Sequence, residues 1–565
     1  MSNKKKKVSL IGSSALFCNP TKDDIFFISL GGTDEIGLNF ALIGHDGEWL
    51  IIDCGIAFYD QLGVEVLTAD PSFIVRNNLN LVGLLVTHAH EDHIGAIEYL
   101  WPLLKCPIYV SSFANAVLMQ KIRHKQWKAK ARINEIKFNS VVSIGKFRVE
   151  CVQMTHSIPE PVCFVIKTQL GTLVHSGDWK WESAPVIGSK INEQRLKQIG
   201  DDGVLAYFSD STNIFTKEDN SSEQQTRDCI FDLVKKYENK RITIACFSSN
   251  IARLESAFLA ADNVGRKVVV IGLSLQRMIA AARETGFLKD FNNLIDEKAV
   301  LSVPSEKILL LCTGSQGEGK SALVRLANGK HPVIKFGNND LVLFSSRVIP
   351  GNEKSIGKLQ SLLAQTGADI ITSSEECIHA SGHPSCNTIK KMYDTLRPKI
   401  VVPVHGEARH LIAQSHFAKA EGIPYVITPV NGSVIQLAGN DPRIIGTVKC
   451  GKWAVDGNRM IDFYGNVIKE RSSLAEHGAI FVTVICDKNG VNDVNVRLIG
   501  VMAEGNLYEE MKKCVVNSVG KFFAGSALDS VKDNTNRCAK TILQVVKSKI
   551  GKFPVVEVHA VNVDE

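Results

Sequence analysis

Thr87-His88-Ala89-His90-Glu91-Asp92-His93 is the stretch from which the fold is read. Before it runs Leu81-Val82-Gly83-Leu84-Leu85-Val86, apolar and short enough for a buried strand. After it comes Ile94-Gly95-Ala96-Ile97-Glu98-Tyr99-Leu100-Trp101, whose apolar spacing suits the start of a helix. The imidazoles and carboxylates of this stretch therefore sit on a tight strand-to-helix turn. His88 and His90 share the alternate-residue reach of an extended segment, while Asp92 and His93 fall at the positive end of the helix. Such a turn can hand ligands to two adjacent metal ions, since neutral imidazoles and carboxylates are donors that Zn2+ accepts.

Working outward, the same arrangement recurs. The strand Ile25-Phe26-Phe27-Ile28-Ser29-Leu30 runs into Gly31-Gly32, and Trp49-Leu50-Ile51-Ile52 delivers Asp53 at its end. Asp53 there either orients metal ligands or caps the strand. His156 follows the strand 148–154, and Asp178 follows the strand 172–177. Alone, His156 or His175 would read as a hydrogen-bonded structural histidine. Repeated delivery of His and Asp past strand ends is the signal, because a sandwich builds a metal site from distant sequence in this way. Residues 103–137 are expected to be helical. Within them Arg123, Lys125, Lys128, Lys130 and Arg132 surround Trp127, as a solvated helix face or as a phosphate contact.

Length and composition bound the rest. A chain of 565 residues is too long for one ordinary domain, and three cores are expected. Hydrophobic content of 45% and charged content of 22% are those of a soluble globular protein, with a mild net charge of +6. The 14 cysteines form no CxxC pair, which removes zinc-finger and thioredoxin readings. Cys54, Cys151, Cys163, Cys246 and Cys312 lie in apolar runs, as small core residues of a reducing, cytoplasmic protein do. No apolar run reaches membrane-span length. The N-terminal Lys4–Lys7 run and the short apolar patch after it are broken by Gly12-Ser13-Ser14, so residues 1–21 read as a flexible basic tail.

Gly314-Ser315-Gln316-Gly317-Glu318-Gly319-Lys320-Ser321 satisfies the phosphate-loop pattern GxxxxGK[ST] after an apolar strand. The helix that should follow is cut short at Asn328-Gly329, and no apolar strand ending in Asp obviously supplies a Mg2+ partner. The loop is read as a turn lining a nucleic-acid channel rather than as an ATPase site.

THAHEDH, Asp53, His156 and Asp178 together resemble the metallo-β-lactamase fold. SDST at 209–212, SGH at 381–383 and PVHGE at 403–407 resemble the three further motifs of the β-CASP nucleases. DCGIAFYDQLGVEV from Asp53, TGSQGEGKSALVRLANGKH from Thr313 and SSRVIPGNE from Ser345 resemble the ribonuclease J family, over nearly the whole chain. The implied fold class is α/β: an αββα metallo-β-lactamase sandwich, an inserted α/β β-CASP domain and a small α+β C-terminal domain. The expected division is 22–212 and 375–455 for the sandwich, 213–374 for the insertion, 456–473 for a linker and 474–565 for a dimerisation domain with a hairpin turn at Asn489-Gly490.

The resemblance implies two Zn2+ per subunit, with Mn2+ or Mg2+ as alternatives. His88, His90 and His156 would bind one, Asp92, His93 and His405 the other, with Asp178 bridging. Asp92, Asp178, Asp210 and His383 form the implied catalytic set, Asp210 orienting His383 as general acid. His405 in the third motif resembles RNA-processing rather than DNA-repair members. Ser249, Asn250, His379 and Ser381 stand where the family holds a 5′-monophosphate, and Phe58 is a base-stacking platform or a core residue. The implied activity is 5′-to-3′ exonucleolytic, with endonucleolytic cleavage in the family repertoire. Single-stranded RNA is the expected substrate, a homodimer or homotetramer the expected assembly, and an RNA-decay complex a further partner. A catalytically quiet partner subunit and a small-molecule hydrolase of the glyoxalase or lactamase type are the competing classes. The complete ligand set argues against the first, and the inserted segment with PVHGE against the second.

Overall fold

The structure is a computed structural model describing residues 19–217, 221–289, 291–487, 490–523 and 528–562. Most of the expected basic tail, and Asn489 of the expected hairpin turn, lie outside the described residues. The chain divides into two compact units, Met1–Ala57 with Thr68–Gly451, and Phe58–Leu67 with Lys452–Glu565.

Two sheets face each other in the first unit. One has eight strands, ordered Arg443–Thr447, Ser433–Ala438, Ile25–Gly31, Phe40–His45, Glu48–Ile52, Asn80–Leu85, Ile108–Val110 and Ile133–Glu135. The other has seven, ordered Val141–Ile144, Phe147–Gln153, Val162–Thr168, Gly171–His175, Ala206–Asp210, Ile400–Val404 and Tyr425–Val426. Phe27, Ile43, Leu50 and Leu85 of the first sheet share a core with Phe147, Phe164, Phe208 and Val402 of the second. Phe27 and Phe208 stack with ring centroids 4.4 Å apart. The seven-stranded sheet is covered on its other face as well: Val152, Val165, Val174 and Tyr207 pack with Leu196, Ile199, Ile389, Met392 and Leu396 from helices. Burial on both faces is why its strands read as continuous apolar runs rather than alternating ones.

A five-stranded sheet holds the inserted segment, ordered Lys267–Ile271, Ile308–Cys312, Arg241–Ala245, Asp340–Phe344 and Asp369–Thr372. All its pairings are parallel. Each return therefore needs a crossover, and helices such as Ile251–Asn263 and Glu353–Gln365 supply it. The helix Glu223–Lys236 starts on a capping box in which Ser222 and Gln225 satisfy each other's backbone N–H groups.

In the second unit, Ala479–Asp487 pairs antiparallel with Gly490–Ile499 and parallel with Val555–Asn562. The parallel return is made by the helices Asn506–Phe522 and Leu528–Ile550, which bury Met511, Val515, Ile542 and Val546 against Ile480, Val482 and Val484.

Two expectations are corrected. The stretch 456–473, expected as a linker, lies within the second unit and carries the strand Arg459–Asp462 and the start of the helix Asn466–His477. Arg471 fastens that helix, donating to both Asp456 carboxylate oxygens at 3.0 and 2.8 Å and to the Leu62 carbonyl at 3.3 Å. The stretch 103–137 is not one helix. Only Ser112–Ile122 is α-helical beyond the end of Ile97–Leu104, and Ile108–Val110 and Ile133–Glu135 extend the eight-stranded sheet in parallel. Strands of three residues carry too short a period to be read, and only the neighbouring strand makes them favourable. No helix among the described residues is long and apolar enough to cross a membrane.

Candidate metal centre

The THAHEDH turn leaves the strand Asn80–Leu85 and is pinned on several sides. Cys54 donates its N–H to the His93 carbonyl at 2.7 Å, and Asn39 donates its N–H to the Asp92 carbonyl at 3.1 Å. Gly55 lies so close that a Cβ there would sit 1.6 Å from the Asp92 carbonyl oxygen, so only glycine lets the two backbones touch.

Asp53 holds the turn from behind. Its backbone is left-handed at φ 61°, a conformation costing about 1–3 kcal/mol in a non-glycine residue. Its carboxylate accepts from Thr87 N–H at 2.7 Å, Thr87 Oγ1 at 2.8 Å and His93 Nδ1 at 2.7 Å. Both readings of Asp53 thus meet in one group: it caps the strand-end backbone and sets the His93 tautomer, leaving Nε2 as the donor atom. Asp53→Asn is expected to weaken metal affinity about 10–100-fold. Titration calorimetry on the purified variant measures this, and unchanged affinity would remove the orienting role.

The remaining groups arrive from the seven-stranded sheet. Gly171–His175, Ala206–Asp210 and Ile400–Val404 are neighbouring parallel strands, so their C-terminal ends lie on one edge. Asp178, Asp210 and His405 stand at or just past those ends, and His156 lies just past Phe147–Gln153. His405 too has a left-handed backbone, φ 53°, with its N–H on the Gly32 carbonyl at 2.9 Å.

All seven expected ligands come together. The ligand atoms of His88, His90 and His156 lie within 4.8 Å of one another, as do those of Asp92, His93, Asp178 and His405. Asp178 Oδ2 is 3.1 Å from His93 Nε2 and 3.9 Å from His88 Nε2, between the two groups. His405 Nε2 is 3.2 Å from Asp92 Oδ2. Asp178, Asp210, His383 and His405 also cluster, but Asp210 Oδ2 accepts from His383 Nδ1 at 2.8 Å, which marks those two as a mutual pair.

The donor set fits a cation. His156 Nδ1 donates to the Gly382 carbonyl at 2.6 Å, so its Nε2 carries a lone pair. That atom faces His90 Nδ1 at 3.2 Å, and His90 Nδ1 faces His88 Nε2 at 3.0 Å. Burial and the surrounding imidazoles hold His88 and His156 well below the usual histidine range, and burial brings His90 down to about 4. Three neutral nitrogens therefore converge, an arrangement a divalent ion relieves. At the other group burial would lower His93 and His405, but Asp178, Asp92, Asp53 and Asp210 outweigh it. His93 is held well above its usual range and His405 is raised to about 10. Burial works to raise Asp92 and Asp178, and the neighbouring imidazoles reverse it, holding both carboxyls down. A cation here takes the place of protons.

Two contacts to the ligands lie outside the expected set. Asn39 Nδ2 donates to the Asp92 carbonyl at 3.0 Å and sits 3.1 Å from His93 Nε2. Thr212 Oγ1 is 2.9 Å from His405 Nδ1. Thr212 belongs to the SDST motif and could have been found there, whereas nothing marks Asn39. His175 is structural: its Nδ1 accepts from Gly177 N–H at 3.2 Å.

The expected 5′-phosphate residues divide. Ser381 Oγ accepts from Asn213 Nδ2 at 2.7 Å and keeps its own proton to donate. His379 Nδ1 is buried without a hydrogen-bond partner, and the Ser249 side chain makes no hydrogen bond among the described residues. Asn250 is committed elsewhere: its Oδ1 caps the helix Ile251–Asn263 through Arg253 N–H at 2.9 Å, and its Nδ2 donates to Glu223 at 3.3 Å. Phe58 is 75% exposed on the strand Ile56–Gln61, which excludes core packing.

The phosphate-loop lookalike is followed by a helix of only six residues, Ala322–Ala327. Gln316 instead stitches the loop to 345–353, donating to the Arg347 carbonyl at 2.8 Å and accepting from Ile349 N–H at 2.9 Å. Arg347 donates to Asn213 at 3.2 Å, and Asn213 donates to Ser381 and to the His383 carbonyl. The loop thus supports the SGH motif.

Residues 35–203 match the metallo-beta-lactamase superfamily, 239–363 the ribonuclease J beta-CASP domain, 358–429 the Zn-dependent metallo-hydrolase RNA specificity domain, and 466–563 the ribonuclease J C-terminal domain. A ribonuclease J from Sinorhizobium meliloti is 36% identical over 505 residues, covering 88% of this chain and 89% of that protein. One from Mycolicibacterium smegmatis is 33% identical over 534 residues, covering 93% of each. A crystal structure of a protein of unknown function from Enterococcus faecalis shares the fold at a TM-score of 0.51 and 15% identity, over 73% of this chain and all of that one.

Proposed function

This chain belongs to the ribonuclease J family, and from that premise we propose how its residues hydrolyse RNA. It is a metal-dependent ribonuclease. His88, His90 and His156 would hold one divalent ion, and Asp92, His93 and His405 a second, with Asp178 placed between the two groups. The histidine-rich donors favour Zn2+, with Mn2+ the nearest alternative. When bound, such a pair supplies a water of lowered pKa and neutralises charge on the phosphate.

The protein's own groups do the rest. Asp53, Asn39 and Thr212 orient the ligands. Asp210 accepts a hydrogen bond from His383 Nδ1–H and so holds the ring protonated, leaving the proton on the other ring nitrogen to pass to the leaving 3′-oxygen. The observation that carries this reading is the convergence of seven ligand side chains beside the Asp210–His383 pair on one sheet edge.

Specificity is read as 5′-to-3′ exonucleolytic on 5′-monophosphorylated RNA, with endonucleolytic cleavage as a second mode. Ser249, His379 and Ser381 offer two hydroxyls and an imidazole to a terminal phosphate. RNA labelled and capped by either one or three 5′-phosphates tests this. Mononucleotide release from the monophosphate alone is expected. Equal degradation of both removes the 5′ pocket and leaves the nuclease intact. We place the enzyme in the reducing cytoplasm, assembled through residues 474–565 as a homodimer or homotetramer, a state that light scattering on the full chain measures.

A further inference from the structure

The segment following the helix Ser112–Ile122 is basic, and it is fastened to the very residues that leave the metal turn. Lys121 Nζ lies 2.7 Å from Glu91 Oε2 and 3.8 Å from Glu98 Oε1. Lys125 Nζ lies 3.1 Å from Glu98 Oε2 and 5.0 Å over the Tyr99 ring. Trp127 stacks on Trp101 with centroids 4.7 Å apart and planes at 21°, and Trp101 Nε1 donates to the Cys106 carbonyl at 2.9 Å. Three side chains thus clamp 121–127 across 91–101, the turn's own continuation. The same helix packs on Leu273–Glu284 of the inserted segment, with Phe113 and Phe287 edge to face at 6.0 Å.

The clamp uses Lys121 and Lys125 and leaves the other cations over. Among the described residues Arg123, Lys128, Lys130 and Arg132 make no ion pair, and Arg123 Nε donates only to His124 at 2.8 Å. Arg123, Lys130 and Arg132 are exposed and Lys128 is half-buried. The carboxylate nearest in sequence is Glu135, which already accepts from Asn115 at 3.3 Å. Four uncompensated positive charges within ten residues, held in place by stacked rings, repel one another, and a polyanion relieves that repulsion. A loop serving only solubility would need no such clamp onto the metal turn.

We propose that residues 123–132 form a phosphate rail for single-stranded RNA outside the catalytic cleft, gripping the substrate backbone without reading bases. The assignment rests on the ribonuclease reading above. It predicts that substrate length, not the identity of the 5′ end, decides how much the rail contributes.

The test replaces Arg123, Lys128, Lys130 and Arg132 together by Gln in the full, metal-loaded chain, with melting temperature as the check on folding. For a 5′-monophosphorylated RNA of about 30 nucleotides, KM is expected to rise about tenfold or more at 0.15 M salt, with kcat within about twofold. The slope of log affinity against log salt should fall by about 0.7 for each lost phosphate contact, two to three in total. A tetranucleotide should be cleaved as before, and a variant exchanging Arg for Lys and Lys for Arg at the four positions should retain the wild-type slope. Unchanged affinity and slope for the long RNA would overturn the rail, and so would an equal loss on the tetranucleotide. If the unmodified chain cleaves neither RNA, the ribonuclease reading fails, while the salt slope of binding still decides the rail.

Discussion

Asp178→Asn is expected to reduce RNA hydrolysis at least about a thousandfold, because it removes the one carboxylate that faces both ligand groups. Its two oxygens lie 3.1 Å from His93 Nε2 and 3.4 Å from His405 Nδ1. An amide there is neutral and donates where a cation needs an acceptor. His88→Ala should match it by removing one of three converging imidazoles. Metal content, measured by atomic absorption after dialysis, should fall for both. Full activity with full metal content in either variant refutes the ligand assignment.

Metal occupancy carries a pH signature. In the metal-free chain His405 is raised to about 10 and His93 is held up by Asp178, Asp92 and Asp53, burial notwithstanding. Both are therefore protonated at neutral pH, and a cation must displace those protons. Apparent affinity should climb as pH rises through the neutral range, with protons released on binding. At His88, His90 and His156, where burial keeps the rings neutral, no such climb is expected.

The second large effect belongs to the acid. His383→Ala is expected to lower kcat about 10²–10⁴-fold while metal content stays at the wild-type level. Burial would depress His383, but Asp210 at 2.8 Å outweighs it and holds the ring above its usual range. A raised pKa keeps the ring protonated to higher pH, so activity should decline on the alkaline side as that proton is lost. Asp210→Asn withdraws the supporting charge, and the alkaline limb should move to lower pH. A limb that stays in place in Asp210→Asn would assign the proton to another group.

Much of this centre is legible before any coordinates. THAHEDH declares its chemistry by composition and spacing, since an extended turn must put His88 and His90 on one side. Asp53, His156 and Asp178 declare theirs by following apolar runs. The two readings of Asp53 could not be separated that way, because capping Thr87 and orienting His93 are contacts made across 34 and 40 positions. Asn250 matched the 5′ pocket in sequence, yet its side chain is taken by a helix cap and by Glu223, contacts that depend on where the helices Ile251–Asn263 and Glu223–Lys236 meet.

By itself the sequence determined which residue types stand at strand ends, and hence a metal-dependent hydrolase, while its motifs carried the resemblance to the family. Apolar periodicity and donor chemistry are local properties, written into a few consecutive residues. Only the tertiary structure decided that Asp92 and His405, 313 positions apart, lie 3.2 Å from each other. It likewise assigned Phe58–Leu67 to the unit of the C-terminal residues and clamped a basic segment over the metal turn. Sheet order and packing set these distances, and both come from the summed burial of many side chains, which no single stretch records.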